Sequence, residues 1–431
     1  MLSRKFGLDK SRSLPSELSK VSYSDTLPLS IRGVRAAGET ITSLTLAASV
    51  TTYDFSKSAF TFTSYLNIIA PGLTSFTNLP ASIITLYLYA CPAMTAIPDI
   101  PSTVTALICP PNITSTAVIP TSVTSLDLAS CTKITSLSLL STNTKVTQLY
   151  CPPFITSLTG IPTSVTDLEL SGCTKITSLD GVPSTITSLG VPPNITSITG
   201  VLPKNLEFLF LSSARLLTSI SGLPSTLKYL YCKYTQAKLS TINLTGCDAL
   251  YYIDGLPPTC TSVIYKGCAS LTSLPGFGSA QTAVDLTGCS SLSSLPTLPA
   301  KCTSLNLTGC SGLPTTLTLA GTGLTTIGGL PAGTLSLDLS GCTSLTTIPA
   351  LPTGLTSLAL AGTKVTAVNL TGNTTLTSAP SLPSTCTSLN LTGCTGIKTI
   401  QADPATLRTL TCSGSGIVKP DVLAAPSTWT F

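Results

Sequence analysis

Sixteen cysteines and a few carboxylates are the residues of this 431-residue chain whose types and spacing could do chemistry, because histidine is absent. Without histidine, Ser-His-Asp and Cys-His catalysis, His-ligated zinc and His-based pH switching are excluded. Asp127, Asp167 and Glu169 have the types of a general acid and base or of a calcium site. Nothing in the sequence adds further ligands or a neighbouring nucleophile, so we expect solvated surface acids there. We predict no enzyme and no cofactor.

The cysteines allow disulfides, zinc binding or packing, and their register favours packing. Nine close an L-x-L-x-x-C phrase, three replace the first Leu of that phrase and four replace the second. All sixteen positions therefore face inward, where a free thiol acts as a small apolar group and weak donor. No C-x-x-C pair is present. We predict structural free thiols.

One repeat produces this register. The segments 292–310, 345–363 and 376–394 align without gaps, and the opening Leu of the phrase recurs mostly every 19 to 23 residues. This period and the phrase L-x-x-L-x-L-x-x-N/C are typical of leucine-rich repeats. The span from about 40 to 415 resembles that family, and its L-P-x-L-P phrase is closest to the short repeats of bacterial secreted effectors. The resemblance implies a repeat fold that binds host proteins.

We predict a β-rich leucine-rich-repeat solenoid of about 17 turns of roughly 21 residues. Each turn also carries a second strand-like phrase, so we expect two β-like sides per turn and, because proline recurs in every turn, little helix. Extra half-turns near residues 53, 242, 317 and 368 should exchange the phrases between the two sides. The predicted domains are a basic arm (1–38), the solenoid (39–412) and a C-terminal cap or docking tail (413–431).

Charge is scarce and unevenly placed. Only 9% of the residues are charged, 42% are hydrophobic, and residues 1–38 carry +4 of the net charge of +5. Clustered cations are needed to neutralise phosphates, so we expect no nucleic acid along the solenoid. The sequence has no signal peptide and no apolar run that could span a membrane. These features favour a virion or particle surface as the location, with cytoplasm or signal-less export as the alternatives.

Aromatic and cationic residues interrupt the Ser/Thr-rich outer positions in one block. Exposed aromatics beside cations are typical of binding hot spots. The alternative is that longer loops near residue 242 fold over the rings and bury them. The predicted protein-binding residues are Phe208, Phe210, Tyr229, Tyr231, Lys233, Tyr234, Ile264 and Lys266.

The two ends break the repeat, as the ends of a solenoid must. The arm with Arg4 and Lys5 could cap the first turn or dock on an acidic partner. The tail with Trp429 and Phe431 could cap the last turn or insert into a neighbouring subunit. From these features we predict a structural or attachment protein of a viral or extracellular-type assembly, bound to neighbouring subunits or a protein partner. The alternative is an effector-like module that binds a host or cellular protein, and neither prediction includes a small-molecule substrate.

Overall fold

Short parallel strands, most of them three residues long, make up nearly all the regular structure of the part of the chain that the computed structural model describes. That part comprises residues 22–23, 40–58, 60–117, 119–140, 143, 145–200, 202–233, 238–400, 406–417 and 430. Its helices are two single 3-10 turns, Phe55–Lys57 and Ser138–Leu140. The strands are β1 (Ser22–Tyr23), β2 (Thr40–Leu46), β3 (Thr52–Asp54), β4 (Thr61–Ile69), β5 (Ser75–Thr77), β6 (Thr85–Ala90), β7 (Ala106–Ile108), β8 (Ser125–Asp127), β9 (Gln148–Tyr150), β10 (Asp167–Glu169), β11 (Ser188–Gly190), β12 (Ser197–Thr199), β13 (Phe208–Phe210), β14 (Ser219–Ser221), β15 (Tyr229–Tyr231), β16 (Thr241–Asn243), β17 (Tyr252–Ile253), β18 (Ser262–Ile264), β19 (Ala283–Asp285), β20 (Ser304–Asn306), β21 (Thr316–Thr318), β22 (Thr326–Ile327), β23 (Ser336–Asp338), β24 (Ser357–Ala359), β25 (Ala367–Asn369), β26 (Ser388–Asn390) and β27 (Thr409–Thr411).

The chain divides into two units. Unit 1 comprises Met1–Thr196 and Val201–Leu216, and unit 2 comprises Ser197–Gly200 and Leu217–Phe431. In both units the strands pair in parallel with partners about 21 residues away, as Leu168 pairs with Leu189 in unit 1 and Val263 with Val284 in unit 2. The predicted leucine-rich-repeat solenoid, with about 21 residues per turn and little helix, is thereby confirmed. The predicted domain boundaries at residues 38 and 412 stay predictions.

In unit 1 the strands form one main parallel sheet, in the order β1-β2-β4-β6-β7-β8-β9-β10-β11-β13. The central leucine of each strand points into the coil, and Leu107, Leu126, Leu149 and Leu168 are all fully buried. The residues on either side of that leucine point to the opposite face because side chains alternate along a strand. This face carries polar and aromatic side chains such as Tyr87, Tyr150 and Phe208.

Half-turn insertions in unit 2 move the L-x-L phrase from one sheet to another. The sheet β12-β14-β16-β18-β19-β20-β22 begins with strands that come from the second strand-like phrase of each turn. The insertion at β16 brings the next L-x-L strand, β18, into this sheet, where it pairs with β16. The insertions at β21 and β25 likewise start the sheets β21-β23-β24 and β25-β26-β27. The predicted exchange of sides is confirmed near residues 242, 317 and 368. It is wrong near residue 53, because β3 pairs only with β5 while β2 and β4 stay partners.

A glycine and an asparagine or aspartate side chain shape the turn after many L-x-L strands of unit 2. Gly288 has φ +81°, a left-handed conformation that favours glycine, and its N–H donates to the carbonyl of Thr308 in the next turn at 2.8 Å. The side chain of Asn306 accepts from the N–H of Thr308 at 3.1 Å and from its hydroxyl at 2.7 Å. The repeat phrase N-L-T-G-C therefore encodes the turn geometry as well as the core.

The sixteen cysteines are free and buried, as the register predicts. Ladder thiols hydrogen-bond to the backbone of the preceding turn: Cys289 Sγ donates to the carbonyl of Tyr265 at 3.3 Å, and Cys310 Sγ to that of Leu286 at 3.1 Å. Burial raises the pKa of Cys289 to about 12. A thiol with this pKa stays protonated at neutral pH and is a poor nucleophile, so these cysteines serve packing.

Candidate protein-binding surface

Four tyrosines of unit 2 form a cluster, here called the tyrosine patch: Tyr229, Tyr231, Tyr251 and Tyr252. The ring of Tyr252 lies 6.4 Å from that of Tyr229 and 6.1 Å from that of Tyr231, measured between centroids. Tyr251 lies 6.4 Å from Tyr229 in an edge-to-face arrangement. Tyr251 is 52% exposed and Tyr252 is 39% exposed, whereas Tyr229 and Tyr231 are half-buried. The two outer rings therefore offer apolar surface to solvent while the two inner rings support them.

Strand pairing positions the patch. Tyr229 on β15 is in register with Tyr252 on β17, and the N–H groups of Tyr251 and Tyr252 both donate to the carbonyl of Lys228. The buried Leu230 and Ile253 anchor the two strands, so the tyrosines on the alternate positions point outward. The patch thus lies on a fixed backbone, which suits a preformed contact surface.

The carboxylate of Asp254 stabilises the backbone just after β15. One oxygen of Asp254 accepts from the N–H of Cys232 at 2.7 Å and from the N–H of Lys233 at 3.0 Å. Burial, with smaller effects of Tyr252, Tyr229 and Asp254, raises the pKa of the Tyr231 phenol. Its hydroxyl is therefore a hydrogen-bond donor at neutral pH. Lys228 and Lys233, next to the patch in sequence, are exposed.

The structure brings together only some of the protein-binding residues that were predicted from the sequence. Tyr229 and Tyr231 lie on one strand, but Ile264 and Lys266 follow the sheet of β18, which is a different sheet from that of β15 and β17. Ile264 and Lys266 lie apart from the strand of Tyr229 and Tyr231, because the half-turn at β16 moves the next L-x-L strand to another sheet. Whether they bind a partner stays a prediction. Sequence reasoning missed Tyr251 and Tyr252, because the segment Tyr251-Tyr252-Ile253 lacks the L-x-L phrase that marks the other strands.

In unit 1, Phe208 is half-buried on β13, as an outward residue should be. Phe210 is only 3% exposed, so the expectation of an exposed ring at this position is wrong. The outward face of the unit 1 sheet is crowded, and the alternation that directs a side chain away from the leucine core does not guarantee access to solvent. Whether Phe208 binds a partner stays a prediction.

Five of the predicted contact residues lie outside the described residues: Tyr234, Arg4, Lys5, Trp429 and Phe431. Of the tail around Trp429, Thr430 is described. Its N–H donates to the carbonyl of Leu410 and its carbonyl accepts from the N–H of Cys412, both at 2.8 Å, so it pairs alongside β27. Whether the tail caps the last turn or inserts into a neighbouring subunit stays a prediction.

Two of the three predicted surface acids, Asp127 and Glu169, accept backbone N–H groups in turns. Asp127 is 3% exposed, which corrects the expectation of a solvated position, and its side chain accepts from the N–H of Ala129 at 2.8 Å. Glu169 accepts from the N–H of Ser171 at 2.7 Å. Within the residues that the structure describes, no group of three or more Cys, Asp or Glu side chains is placed to hold a metal ion. Over the same residues, no helix has the length and apolar character needed to cross a membrane.

Comparisons with known proteins return solved repeat structures only. No family model and no curated protein sequence matches the chain. Among solved structures it is similar to YopM from Yersinia enterocolitica, with 17% identity, TM-score 0.20 and coverage of 81% of this chain and 78% of YopM. It is similar to the functional domain of InlJ from Listeria monocytogenes, described as including a cysteine ladder, with 20% identity, TM-score 0.23 and coverage of 79% and 63%. It is also similar to the circular leucine-rich repeat protein CroV588, with 16% identity, TM-score 0.29 and coverage of 90% and 68%.

These likenesses are too low to carry an argument about activity. The leucine-rich repeat fold rests on this chain itself, on the phrase L-x-L-x-x-C and on the register of its parallel strands.

Proposed function

We propose that this chain is a non-enzymatic protein-binding solenoid and that the tyrosine patch is its contact surface. The observation that carries the proposal is the exposure of two adjacent tyrosine rings, Tyr251 and Tyr252, on a backbone fixed by strand pairing. Tyrosine is enriched at binding hot spots because its rigid ring buries a large area at little cost in side-chain entropy. Lys228 and Lys233 supply the charged rim expected around such a centre.

The chemistry of the remaining polar groups supports a role without catalysis. Asp127, Glu169 and Asp254 each accept backbone N–H groups and so stabilise turns. The thiols hydrogen-bond within the core, and burial raises their pKa, as at Cys91 and Cys310, each to about 11. Residues used in this way maintain the coil and leave binding to the outer surface.

The finer proposal is a structural or attachment protein of a viral or extracellular-type assembly, in which the coil acts as spacer and docking surface. The low charge of the chain and its hydroxyl-rich outer rows, such as Ser304, Asn306 and Thr308 on and after β20, support it. A surface with little charge and many short hydroxyl side chains packs against neighbouring subunits with little cost in ion desolvation. A secreted-effector-like module that binds a host or cellular protein is the competing function.

The test compares a patch variant with a matched control on the full chain. The variant carries Tyr251→Ser and Tyr252→Ser, and the control carries Tyr89→Ser, a tyrosine of β6 in unit 1 with 43% exposure. Wild-type protein should be recovered with purified particles at a fixed ratio to the other particle proteins. The patch variant should bind about tenfold or more weakly, while the control binds like wild type.

Two results would contradict parts of the proposal. A patch variant that binds as tightly as wild type would remove the tyrosine patch as the contact surface. Recovery of the wild-type chain as a soluble monomer that binds one cellular protein through the patch, with no chain in particles, would favour the effector-like function over the assembly function.

A further inference from the structure

Strand β21 has an open edge in the middle of unit 2. It begins the sheet β21-β23-β24, because the insertion near residue 317 moves the L-x-L phrase to a side of the coil on which the preceding turn has no strand. On that side the preceding turn places the segment 293–300, in which Pro296 and Pro299 have no N–H to donate. The prolines explain why the sheet does not continue backwards from β21.

The backbone of β21 offers hydrogen-bonding groups along this edge. The carbonyl of Thr315 accepts from Ser336, and the N–H of Leu319 donates to Asp338, so the odd-numbered residues face β23. Alternation along the strand turns the N–H and C=O groups of Thr316 and Thr318 towards the preceding turn. Within residues 293–320, all of which the structure describes, no hydrogen bond joins the segment 293–300 to residues 314–320.

The other sheet that an insertion starts in this part of the chain is more closed. Before β25, the N–H of Lys364 donates to the carbonyl of Leu345 at 2.9 Å, and the N–H of Thr366 donates to that of Thr346 at 3.3 Å. These bonds tie the approach to β25 to the preceding turn. The approach to β21 has no such bonds, so strand and preceding turn lie apart there.

A groove of about 400 Å³ separates β21 from the segment 293–300. This volume is in the range of pockets that hold small ligands, and here the pocket runs beside a sheet edge. Leu295 and Leu298 line one wall and are half-buried, while Thr316 and Thr318 line the other wall and are exposed. None of the residues that line the groove is charged. An occupant that fits is therefore uncharged, has apolar side chains and carries backbone groups that match an open strand.

The neighbouring sheet shows what such an edge accepts. There β20 lies parallel to β22 and occupies the place that is empty before β21. The carbonyl of Leu305 accepts from the N–H of Gly328 at 2.8 Å, and the N–H of Leu307 donates to the carbonyl of Gly329 at 3.0 Å. A parallel extended segment in the groove can bond to the open edge of β21 in the same way.

We propose that the groove before β21 binds an extended, uncharged peptide segment of a protein partner, which joins the sheet β21-β23-β24 as a further parallel strand. Its backbone bonds to the N–H and C=O groups of Thr316 and Thr318, and its apolar side chains contact Leu295 and Leu298. In strand addition of this kind the main-chain bonds supply affinity and the alternate side chains supply specificity. The groove uses none of the residues of the tyrosine patch, so this proposal and the proposed function can fail separately.

The first experiment measures binding of a strand-like probe to the full-length protein by fluorescence anisotropy. The probe is the labelled hexapeptide Thr-Ser-Leu-Asn-Leu-Thr, a copy of residues 303–308 with both ends blocked. Two N-methylated forms test the direction of the backbone bonds. One is methylated at the residue that copies Leu307, whose N–H faces the following strand in the protein. The other is methylated at the residue that copies Ser304, whose N–H donates backwards to Thr282.

The unmethylated probe and the form methylated at the Ser304 copy should bind alike. The form methylated at the Leu307 copy should bind about tenfold or more weakly, because it cannot donate to the edge of β21. Absence of binding at millimolar probe would overturn the proposal, as would equal affinities for the two methylated forms.

The second experiment places the probe on β21 with the variant Thr318→Pro and the control Thr318→Val. Proline removes the N–H that faces the groove, and it takes no bond from the sheet because β23 does not use that N–H. Valine keeps the N–H and the shape of the side chain. The proline variant should bind the unmethylated probe about tenfold or more weakly than wild type, and the valine variant should bind it like wild type. A folded proline variant, verified by far-UV circular dichroism, that binds like wild type would overturn the proposal.

Sedimentation velocity tests a second copy of this chain as the occupant. The proposal predicts that wild type and Thr318→Pro sediment as the same species, because the groove waits for a different protein. Self-association of wild type that Thr318→Pro abolishes would overturn the assignment to a partner, since a strand of a second copy would then fill the groove.

Discussion

Replacement of Gly288 by alanine tests the glycine turn that follows L-x-L strands such as β19. Gly288 has φ +81°, and the left-handed conformation costs an L-residue about 1–2 kcal/mol. The added methyl itself has room, since its nearest neighbours are Cα and N of Gly267 at 3.5 and 3.6 Å, an ordinary contact. The expected loss in the free energy of unfolding is therefore about 1–2 kcal/mol, and it comes from backbone conformation rather than from a clash.

Gly333 provides the matched control for this substitution. It is exposed, its φ lies outside the left-handed region and a Cβ built there meets nothing within 4 Å. Alanine at this position should stabilise the protein by about 0.4–1 kcal/mol, because it reduces the conformational entropy of the unfolded chain. Urea unfolding followed by far-UV circular dichroism would measure both variants. Equal stabilities for Gly288→Ala and Gly333→Ala would refute the left-handed turn.

Two further predictions concern pH and the side chains that close the turns. Burial raises the pKa of Cys247 and Cys289 to about 12 from an ordinary value near 9, so the native state keeps protons that the unfolded state loses, and stability should fall as pH rises from 9 towards 12. The loss is up to about 1.4 kcal/mol per pH unit for each thiol, and urea midpoints that stay constant between pH 8 and pH 11 would contradict it. Asn306→Ala should cost about 1 kcal/mol because Thr308 loses its acceptor, whereas Asn306→Asp should cost little, since Asp285 accepts from Thr287 in the same way. Equal melting temperatures for these two Asn306 variants would show that the side chain does not stabilise the turn.

The repeat made the fold predictable from sequence, because the period, the L-x-L phrase and the positions of the cysteines all indicated the same inward-facing residues. Leu126, Leu168 and Leu305 are fully buried where the phrase places them, and Cys289 and Cys310 are fully buried at the ladder position. Local agreement of this kind is sufficient for a solenoid, since each turn packs mainly on its neighbours.

The candidate site was less predictable because it depends on which strands pair and on what covers them. The segment Tyr251-Tyr252-Ile253 lacks the L-x-L phrase, so spacing alone gave no strand there, yet β17 pairs with β15 and completes the tyrosine patch. The half-turn at β16 moved Ile264 to another sheet. Phe210 and Asp127 point outward as alternation requires but are 3% exposed, because crowding on that face is a tertiary property.

The sixteen cysteines pack the inside of the coil as free thiols, which leaves binding to the outer surface. Alkylation with a maleimide at pH 8, counted by mass spectrometry, measures how many thiols are accessible and how many are free. We expect almost no modification of the native protein within minutes, and modification of all sixteen thiols in denaturant without reductant. Fewer than sixteen in denaturant, or rapid labelling of Cys268, Cys289 and Cys310 in the native protein, would contradict it.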